Sequence, residues 1–276
     1  MTLSNITFVV FTFNEEKRIE RVIKNFQKFG KILLADNNST DRTQEIAKAY
    51  GCDIFLRKED YVFVEDQRLV NQLYNVVTTD WIYWAFADEM LDLTTLEEIE
   101  KIVTSNDYDV ISMDRKNYFY GKFCYDVFSS RTFKLFKKGA IDFTGNTIHN
   151  MGRTTVDNKR IYKLPDKYFI HHFISNTAQS YLNVINRYTD QEPTTKFNTS
   201  PVYVLLLSLK IILKQYIING GYKCGFSGLS LIQLMIFYGV IKNIKQFEKN
   251  ETLSTSNIED SNNVVRDKIL SLSMVK

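Results

Sequence analysis

Apolar and polar positions along the first ninety residues form two alternating patterns. Short continuous apolar runs, typical of buried parallel strands, are followed by stretches in which apolar residues recur at helical spacing. The strands predicted on this basis are Ile6–Phe13, Lys31–Ala35, Asp53–Leu56 and the run that starts at Trp81. The predicted helices lie between them: one from Ile19 to Phe29 with Asn14 as its cap and Gly30 as its stop, one that ends at Gly51, and Glu65–Thr78. Strand and helix in this order predict a parallel sheet with right-handed crossovers.

The regular alternation is lost in the second half of the chain. A helix is predicted over Thr94–Thr104, capped by Thr94 or Asp92, and another over Gln179–Tyr188. Strand-like segments follow the first of these helices at Asp109–Met113, Asn117–Tyr120, Arg131–Phe136 and Tyr168–Phe173. This half is therefore expected to be mixed rather than purely parallel.

The C-terminal part is apolar in a different way. Val202–Ile218 is nearly continuous in apolar residues, but Lys210 and Lys214 lie one turn apart on one face, and a second apolar helix is predicted over Leu229–Ile241. Spanning a bilayer takes ~20 apolar residues, which neither segment supplies as a clean run. We expect a pair of interfacial helices, with a helical subdomain on the sheet or a dimer face as the alternative. Residues 250–263 are polar and are expected to be disordered.

Composition narrows the class of protein. The 276 residues are 44% hydrophobic and 24% charged, which is ordinary for a globular α/β protein with an appendage. A net charge of +3 and the lack of a nucleic-acid-binding motif predict no nucleic-acid partner. The three cysteines lack CxxC spacing and predict free thiols in a reducing compartment. The N-terminal apolar run is read as a strand rather than a signal peptide.

Polar clusters follow three of the predicted strands. They are Thr12-Phe13-Asn14-Glu15, Asp36-Asn37-Asn38-Ser39 and Asp88-Glu89. In a parallel sheet such strand ends meet at one edge, over the crevice where ligands bind. Neither GxGxxG nor a P-loop motif is present, so a bound diphosphate would need a cation, and carboxylates such as Asp88 suit Mg²⁺ or Mn²⁺.

The ordered set of motifs FTFNEEKRI, LLADNNSTDRT, EDQRL and DWIYWAFADE resembles family 2 glycosyltransferases. The segments NYFYGKF, RTFKLFKKGAIDFTGNTIHN, IHHF and YLNVINRYT resemble the branch with lipopolysaccharide-core glucosyltransferases of the WaaE/KdtX type. The resemblance covers roughly residues 5–245, and its C-terminal part resembles that branch's membrane-associating region. It implies the GT-A fold, with a mostly parallel central sheet, flanking helices and a C-terminal helical membrane-associating region. The expected divisions are a catalytic domain over 1–200, an amphipathic helical region over 201–248 and a flexible polar tail over 249–276.

The resemblance also implies roles for particular residues. A nucleotide-sugar site would be formed by Thr12, Asn14, Glu15, Asp36, Asn38, Ser39 and Arg68. Asp88 would be the metal-binding aspartate of a DxD-like element, and His172 would reach the metal or the diphosphate. A weakly held Mg²⁺ or Mn²⁺ is the implied cofactor. His171 is interpreted as a structural histidine.

Two positions depart from the family pattern. Phe86 stands where the family has the first aspartate of Asp-Ala-Asp-Glu, which removes one polar contact from the metal site. Asn150 stands where the family often has a glutamate after His149, and an amide cannot act as a general base. Glu89 and Asp142 are the candidate bases that remain, and Glu89 ranks first because it borders the site.

The sequence therefore predicts an inverting glycosyltransferase. It would move a sugar from a UDP- or dTDP-sugar to a cell-surface glycan or a lipid-linked acceptor at the cytoplasmic face of the membrane. A sugar-1-phosphate nucleotidyltransferase is the enzymatic alternative, but it would need a Gly-rich, Arg-containing loop after the first strand. A degenerate, membrane-peripheral protein that only binds sugar nucleotides is the non-enzymatic alternative, motivated by Phe86 and Asn150.

Overall fold

Four parallel strands form the first half of the sheet. The computed structural model describes residues 5–57, 66–146, 151–191, 198 and 200–273. The four strands are β1 (Ile6–Thr12), β2 (Lys31–Asp36), β3 (Asp53–Leu56) and β4 (Trp81–Phe86). They lie in the order β3-β2-β1-β4, with every neighbouring pair parallel. The predicted parallel half-sheet is confirmed.

Helices cover both faces of this half-sheet because successive side chains of a strand point to opposite sides. They are α1 (Ile19–Phe26), α2 (Thr43–Ala49) and α3 (Gln67–Val76). Phe8 and Val10 of β1 pack in one core with α1 and α2, and Val9 and Phe11 pack in a second core with α3. This three-layer arrangement leaves the C-terminal ends of β1, β2 and β4 as the edge that carries polar loops.

The second half extends the sheet with mixed strands. It contains β5 (Glu89–Leu91), α4 (Leu93–Ser105), β6 (Val110–Phe119), β7 (Lys122–Phe123), β8 (Ser130–Lys137), β9 (Ile141–Asp142), β10 (Arg153–Thr154), β11 (Ile161–Lys163) and β12 (Phe169–Ile174). The main path runs β3-β2-β1-β4-β8-β6-β12-β5. β8 is antiparallel to both β4 and β6, whereas β12 is parallel to β6. The sheet is thus mostly parallel in its first half and mixed beyond β4.

Strand β6 corrects the sequence interpretation. Two short strands were predicted there, separated by Asp114, Arg115 and Lys116, but Val110–Phe119 is one continuous strand. Each of the three charges has a partner in the fold: they pair with Arg131, Glu89 and Asp126 respectively. A charged stretch that resembled a break in the sequence is therefore accommodated by ion pairs.

Helices make up the C-terminal part. They are α5 (Ala178–Gln191), α6 (Pro201–Ile211) with a π-helical continuation over Ile212–Ile218, a 3₁₀ turn at Gly221–Cys224, α7 (Phe226–Asn250) and α8 (Thr255–Ser273). The 25 residues of α7 are long and apolar enough to cross a membrane by length and composition alone, although they include no clean run of ~20 apolar residues, and the interfacial pair stays a prediction. The apolar pattern at 229–241 marked only the central part of this helix.

The segment 250–263 was expected to be disordered, but from Thr255 onward it forms the start of α8. Its polar composition suits a helix exposed to solvent, and α8 is exposed along the part whose side chains are described. Low hydrophobicity therefore indicated a lack of burial rather than a lack of helix.

The C-terminal helices are joined to the sheet through one small apolar cluster. Phe119 at the end of β6, together with Cys124 and Val127 of the following loop, packs against Cys224 and Leu231. This contact lies immediately beyond the C-terminal ends of β6 and β12, which places the helices next to the polar edge of the sheet.

Candidate active site

The loops after β1 and β2 form one polar cluster centred on Asp36. Asp36 is fully buried. Its carboxylate accepts hydrogen bonds from the Thr12 hydroxyl at 2.7 Å, the Ser39 amide at 2.8 Å, the Ser39 hydroxyl at 2.6 Å and the Gln44 side chain at 2.8 Å. Thr12, Asp36 and Ser39 are therefore brought together as predicted. The carboxylate is occupied within the protein, so its described role is to shape the loop.

Asn14 links the two loops rather than capping a helix. Its backbone has φ +56°, and its side-chain oxygen accepts from the Thr40 amide at 2.8 Å. The backbone amide of Asn14 donates to the Ser39 hydroxyl at 2.9 Å. Helix α1 starts at Ile19 without a side-chain cap. The predicted cap is thus corrected, because the Asn14 side chain is turned toward the neighbouring loop.

Glu15 connects this cluster with Asp88. Its amide donates to Thr43 Oγ1 at 2.7 Å, and its carboxylate pairs with Arg18 at 2.7 Å. Burial raises the pKa of Glu15, Arg18 opposes this, and the negative charge of Asp88 adds to the rise. The β1 loop therefore lies within the electrostatic field of the β4 end, as the convergence argument requires.

Asn38 and Arg68 have local partners. Asn38 has φ +58° and donates from its side chain to the carbonyl of Arg57 at 3.0 Å. Arg68 lies in the first turn of α3, is mostly exposed and pairs with Asp66 at 2.8 Å. Asn38 thus shapes the loop after β2, and the proposed proximity of Arg68 to phosphates stays a prediction.

Asp88 stands at the end of β4, beside His172 of β12. Asp88 Oδ2 and His172 Nε2 are 3.3 Å apart, and about a third of the Asp88 side chain is exposed (31%). Burial acts to raise the pKa of Asp88, but His172, Arg115 and Arg18 together lower it. These charges therefore favour the ionised form of Asp88, and part of its side chain reaches solvent.

Asn117 of β6 fixes the orientation of His172. The Asn117 amide nitrogen donates to the carbonyls of Val127 at 2.9 Å and Phe128 at 3.1 Å, so its oxygen faces His172 Nδ1 at 2.7 Å. An oxygen acceptor at Nδ1 implies that Nδ1 carries a proton, which leaves Nε2 as the ring nitrogen that faces Asp88. Histidine ligands of metals are held by this kind of outer hydrogen bond.

The pair Asp88 and His172 fits a divalent cation that is also held by substrate. Among the residues that the structure describes, no group of three or more His, Cys, Asp or Glu side chains could hold a metal ion. Mg²⁺ sites commonly use one or two protein ligands and complete the shell with waters and substrate phosphates. Asp88 and His172 would supply the protein ligands.

The environment of Glu89 is opposite to that of its neighbour Asp88. It is fully buried, and its carboxylate accepts from Lys134 at 2.9 Å, Arg115 at 3.3 Å and the Phe86 amide at 3.3 Å. Burial lowers the pKa of Lys134, and Glu89 acts in the opposite direction. A carboxylate enclosed by two cations cannot reach an acceptor hydroxyl, so the structure contradicts the interpretation of Glu89 as the base.

Phe86 takes part in the same buried group. The Lys134 ammonium lies 4.1 Å from the centre of the Phe86 ring, within the range of a cation–π contact. The aromatic side chain that replaces the family's first aspartate therefore covers a lysine. This gives the departure at position 86 a structural explanation that is independent of metal binding.

The remaining sequence candidates are placed as follows. Asp142 is partly exposed in β9 and accepts from the Thr144 amide at 2.9 Å. His171 contacts the Tyr118 hydroxyl at 2.9 Å and Asp92 at 3.5 Å, consistent with a structural role. His149 and Asn150 lie outside the described residues.

Three residues of this site were missed by sequence reasoning: Arg115, Asn117 and Lys134. Asn117 and Lys134 are buried, whereas Arg115 belongs to the charged stretch that was interpreted as a break between two strands. The available signal was at Lys134, between Phe133 and Leu135 in a predicted strand, because a lone polar side chain among apolar neighbours must find a partner when it is buried.

Comparison with known proteins agrees with the fold. Residues 7–166 match the family model described as Glycosyl transferase family 2, which is more than half of the chain. The sheet with its polar C-terminal edge is that of the GT-A fold. The chain belongs to glycosyl transferase family 2.

Individual relatives match a smaller part of the chain than the family model does. An uncharacterized glycosyltransferase of Rickettsia prowazekii (strain Madrid E) is 31% identical over 108 residues, covering 39% of this chain and 36% of the relative. The SPbeta prophage-derived glycosyltransferase SunS of Bacillus subtilis (strain 168) is 28% identical over 102 residues, covering 35% of this chain and 23% of SunS. The chain thus matches about a third or less of the length of these curated relatives.

Among solved structures, glucosyl-3-phosphoglycerate synthase from Mycobacterium tuberculosis, in complex with Mn²⁺, UDP and glucosyl-3-phosphoglycerate, is similar with a TM-score of 0.32 and 19% identity. The similarity covers 43% of this chain and 45% of the synthase.

Proposed function

We propose that the protein is an inverting glycosyltransferase that moves a sugar from a nucleotide-diphosphate donor to a cell-surface glycan or lipid-linked acceptor. The observation that carries this proposal is the pair formed by Asp88 and His172 at the end of β4, next to the Asp36 cluster. A partly exposed carboxylate and an oriented imidazole beside a preformed loop suit the diphosphate of a sugar nucleotide.

The nucleotide would bind against the loops after β1 and β2. Hydrogen bonds between Asn14 and Ser39, and between Glu15 and Thr43, hold these loops together. Because the Asp36 carboxylate is saturated, Asp36 would act by fixing this loop rather than by accepting from the base or ribose. A rigid loop reduces the ordering cost of binding.

The donor diphosphate would lie over Asp88 and His172. These residues would hold Mg²⁺ or Mn²⁺, whose chemistry is to neutralise negative charge on the departing diphosphate. Arg18 and Arg115 add positive charge near Asp88. In single displacement, a base removes the proton of the acceptor hydroxyl. With Glu89 enclosed by Lys134 and Arg115, Asp142 is the remaining candidate from the sequence.

The acceptor would be presented at the cytoplasmic face of the membrane. One side of α6 and its π-helical continuation forms an exposed apolar surface, here called the α6 stripe, made of Val202, Leu205, Leu206, Leu209, Ile212, Leu213 and Ile217. The exposed Lys210 and Lys214 flank it. An apolar stripe bordered by lysines favours an interfacial helix on an anionic membrane.

Two other lysines of the C-terminal helices have partners away from this surface. Lys245 pairs with Asp190 at 2.7 Å, and Lys223 lies over the rings of Tyr125 and Tyr222. The electrostatic part of the proposed membrane contact therefore rests mainly on Lys210 and Lys214.

Donor binding and turnover test the proposal together. Nucleotide sugars are screened with Mn²⁺ in a thermal-shift assay. The correct donor should raise the melting temperature of the protein, since a ligand that binds only the native state stabilises that state. The same donor should then be hydrolysed slowly without acceptor and consumed faster with membrane extracts that contain glycolipid. Donor binding without any turnover would support the degenerate binding protein instead.

A further inference from the structure

The π-helical segment Ile212–Ile218 carries a buried glutamine that faces the sheet domain. Gln215 Oε1 accepts from the Phe128 amide at 2.8 Å and from Asn219 Nδ2 at 2.9 Å. π-Helical turns inside α-helices are frequent at functional positions because they redirect one side chain. Here the redirected side chain binds the loop between β7 and β8.

The same loop holds the residue that orients His172. Phe128 receives a hydrogen bond from Asn117 on its carbonyl and donates one to Gln215 from its amide. Asn117 in turn faces His172 Nδ1 at 2.7 Å, and His172 Nε2 faces Asp88 at 3.3 Å. A continuous series of polar contacts thus runs from the C-terminal helices to the proposed metal ligands.

The conformation of this loop requires external support. Phe128 has φ +50° and Tyr125 has φ +52°, a region that bulky L-residues rarely adopt. Such conformations persist where surrounding contacts determine them. Gln215 supplies one of these contacts, and the packing of Cys124 and Val127 against Cys224 supplies another.

We propose that Gln215 and Asn117 are positioning residues for His172, so that the C-terminal helices set the geometry of the diphosphate site. This rests on the proposed function. Loss of the Gln215 contact would release the strained loop. Asn117 would then no longer fix the orientation of the His172 imidazole. Outer partners of metal-binding histidines commonly change metal affinity by about 10–100-fold.

Two variants at one position separate positioning from packing. Gln215→Met keeps the side-chain length but removes the acceptor, whereas Gln215→Glu keeps an oxygen for both donors. Binding of Mn²⁺ in the presence of UDP is followed by the paramagnetic resonance signal of free Mn²⁺. We expect Gln215→Met to weaken Mn²⁺ binding about 10-fold, Gln215→Glu to stay close to wild type, and UDP binding without metal to be unchanged in both. Ser208→Ala is the control, because the Ser208 hydroxyl bonds only within α6, to the Val204 carbonyl.

The tautomer of His172 gives a second measurement that needs no variant of Gln215. The chain has three histidines, so ¹⁵N-histidine spectra are assigned with His149→Gln and His171→Gln. We expect Nδ1 of His172 to carry a proton in the wild-type protein, because Nδ1 donates to the Asn117 oxygen. An Nδ1 without a proton would overturn the proposal even if Gln215→Met fails to fold.

The outcomes distinguish this inference from the function on which it rests. Wild-type protein that binds neither UDP nor Mn²⁺ would overturn both. Wild-type protein that binds both, together with a folded Gln215→Met that binds Mn²⁺ equally well, would overturn the positioning role alone. Equal losses in Gln215→Met and Gln215→Glu would also overturn it, because the acceptor would then not be the cause.

Discussion

The Asp36 cluster and the Asp88 cluster lie at the same edge of the sheet but are built in different ways. Asp36 takes its partners from Thr12, Ser39 and Gln44, all within the first two strand–loop–helix units. Asp88 and Glu89 take theirs from strands β6, β8 and β12, through Arg115, Lys134 and His172. The first cluster is a local structure, and the second exists only when the distant half of the sheet has assembled.

The two adjacent acids of the second cluster have opposite environments. Asp88 is partly exposed, whereas Glu89 is completely buried among cations. Successive residues at a strand end point in different directions, so one can face a ligand while the other supports the turn. Three predictions test this contrast and a fourth tests the C-terminal helices, in order of decreasing expected effect.

The largest effect is expected for Lys134→Met. Removing Lys134 leaves Glu89 buried with two longer contacts, to Arg115 and to the Phe86 amide, both at 3.3 Å. Breaking a buried ion pair costs about 3–5 kcal/mol, so the free energy of unfolding should fall by that amount in urea titrations. Lys101→Met is the control, because its exposed pair with Glu98 should change stability by less than about 1 kcal/mol.

The double variant Lys134→Met with Glu89→Gln sharpens this test. Removing both charges should recover part of the lost stability, since no uncompensated charge then stays buried. Equal stability of wild type and Lys134→Met would mean that the pair is not enclosed as described.

Asp88→Asn is expected to reduce sugar transfer by about 100-fold or more, equivalent to ~2.7 kcal/mol, because a direct ligand should matter at least as much as its outer partners. Asp88 is accessible and makes few contacts that hold the fold, so the melting temperature should stay near that of wild type. Glu97→Gln, an exposed acid on α4, serves as the matched control. Full activity of the wild-type enzyme in EDTA would refute a metal role for Asp88.

The difference between the clusters also explains what the sequence could predict. Thr12, Asp36 and Ser39 follow predicted strands directly, and their convergence requires only that the strands be parallel and adjacent. The partners of Glu89 lie 26 and 45 positions away on β6 and β8, whose order in the mixed half-sheet has no local signal. The burial of Glu89 therefore could not be derived, and its position beside Asp88 suggested a role that the fold excludes.

A similar limit applies within the first cluster. Polar turn residues after β2 correctly marked a loop, but they gave no sign that the Asp36 side chain is fully buried. The Thr12 hydroxyl and the Gln44 amide enclose it from both sides, which depends on how α2 packs against the loop. Asn14 was assigned to a helix cap because an asparagine side chain suits both helix caps and contacts between loops.

Asp36→Ala should therefore have two effects rather than one. Removal of the carboxylate leaves the buried Thr12 hydroxyl and the partly buried donors of Ser39 and Gln44 without an acceptor, which should lower the free energy of unfolding by about 1–3 kcal/mol. The loosened loop should also bind UDP or dTDP more weakly in calorimetry. Asp53→Ala is the matched control, because Asp53 is exposed at the start of β3. Asp41 is unsuitable as a control because its carboxylate accepts a hydrogen bond from Thr43. Unchanged stability and affinity in Asp36→Ala would show that the cluster is not organised around this carboxylate.

The smallest effect per residue is expected at the α6 stripe, which belongs to neither cluster. Each lysine near an anionic surface contributes about 1 kcal/mol to membrane binding. Lys210→Glu combined with Lys214→Glu should release the protein from anionic vesicles in co-sedimentation, and high salt should partly have the same effect. Lys101→Glu with Lys122→Glu, two exposed lysines outside the C-terminal helices, is the matched charge reversal and should leave binding near that of wild type.

Nucleotide binding separates this surface from the donor site. Because the Asp36 cluster draws its contacts from residues 12–44, the charge reversal at Lys210 and Lys214 should leave UDP affinity unchanged while it abolishes vesicle binding. Vesicle binding that resists both salt and charge reversal would mean that α7, with its 25 residues, inserts into the bilayer. A complete lack of vesicle binding by the wild-type protein would contradict the membrane proposal, and the exposed apolar stripe would then favour a contact between two copies of the chain.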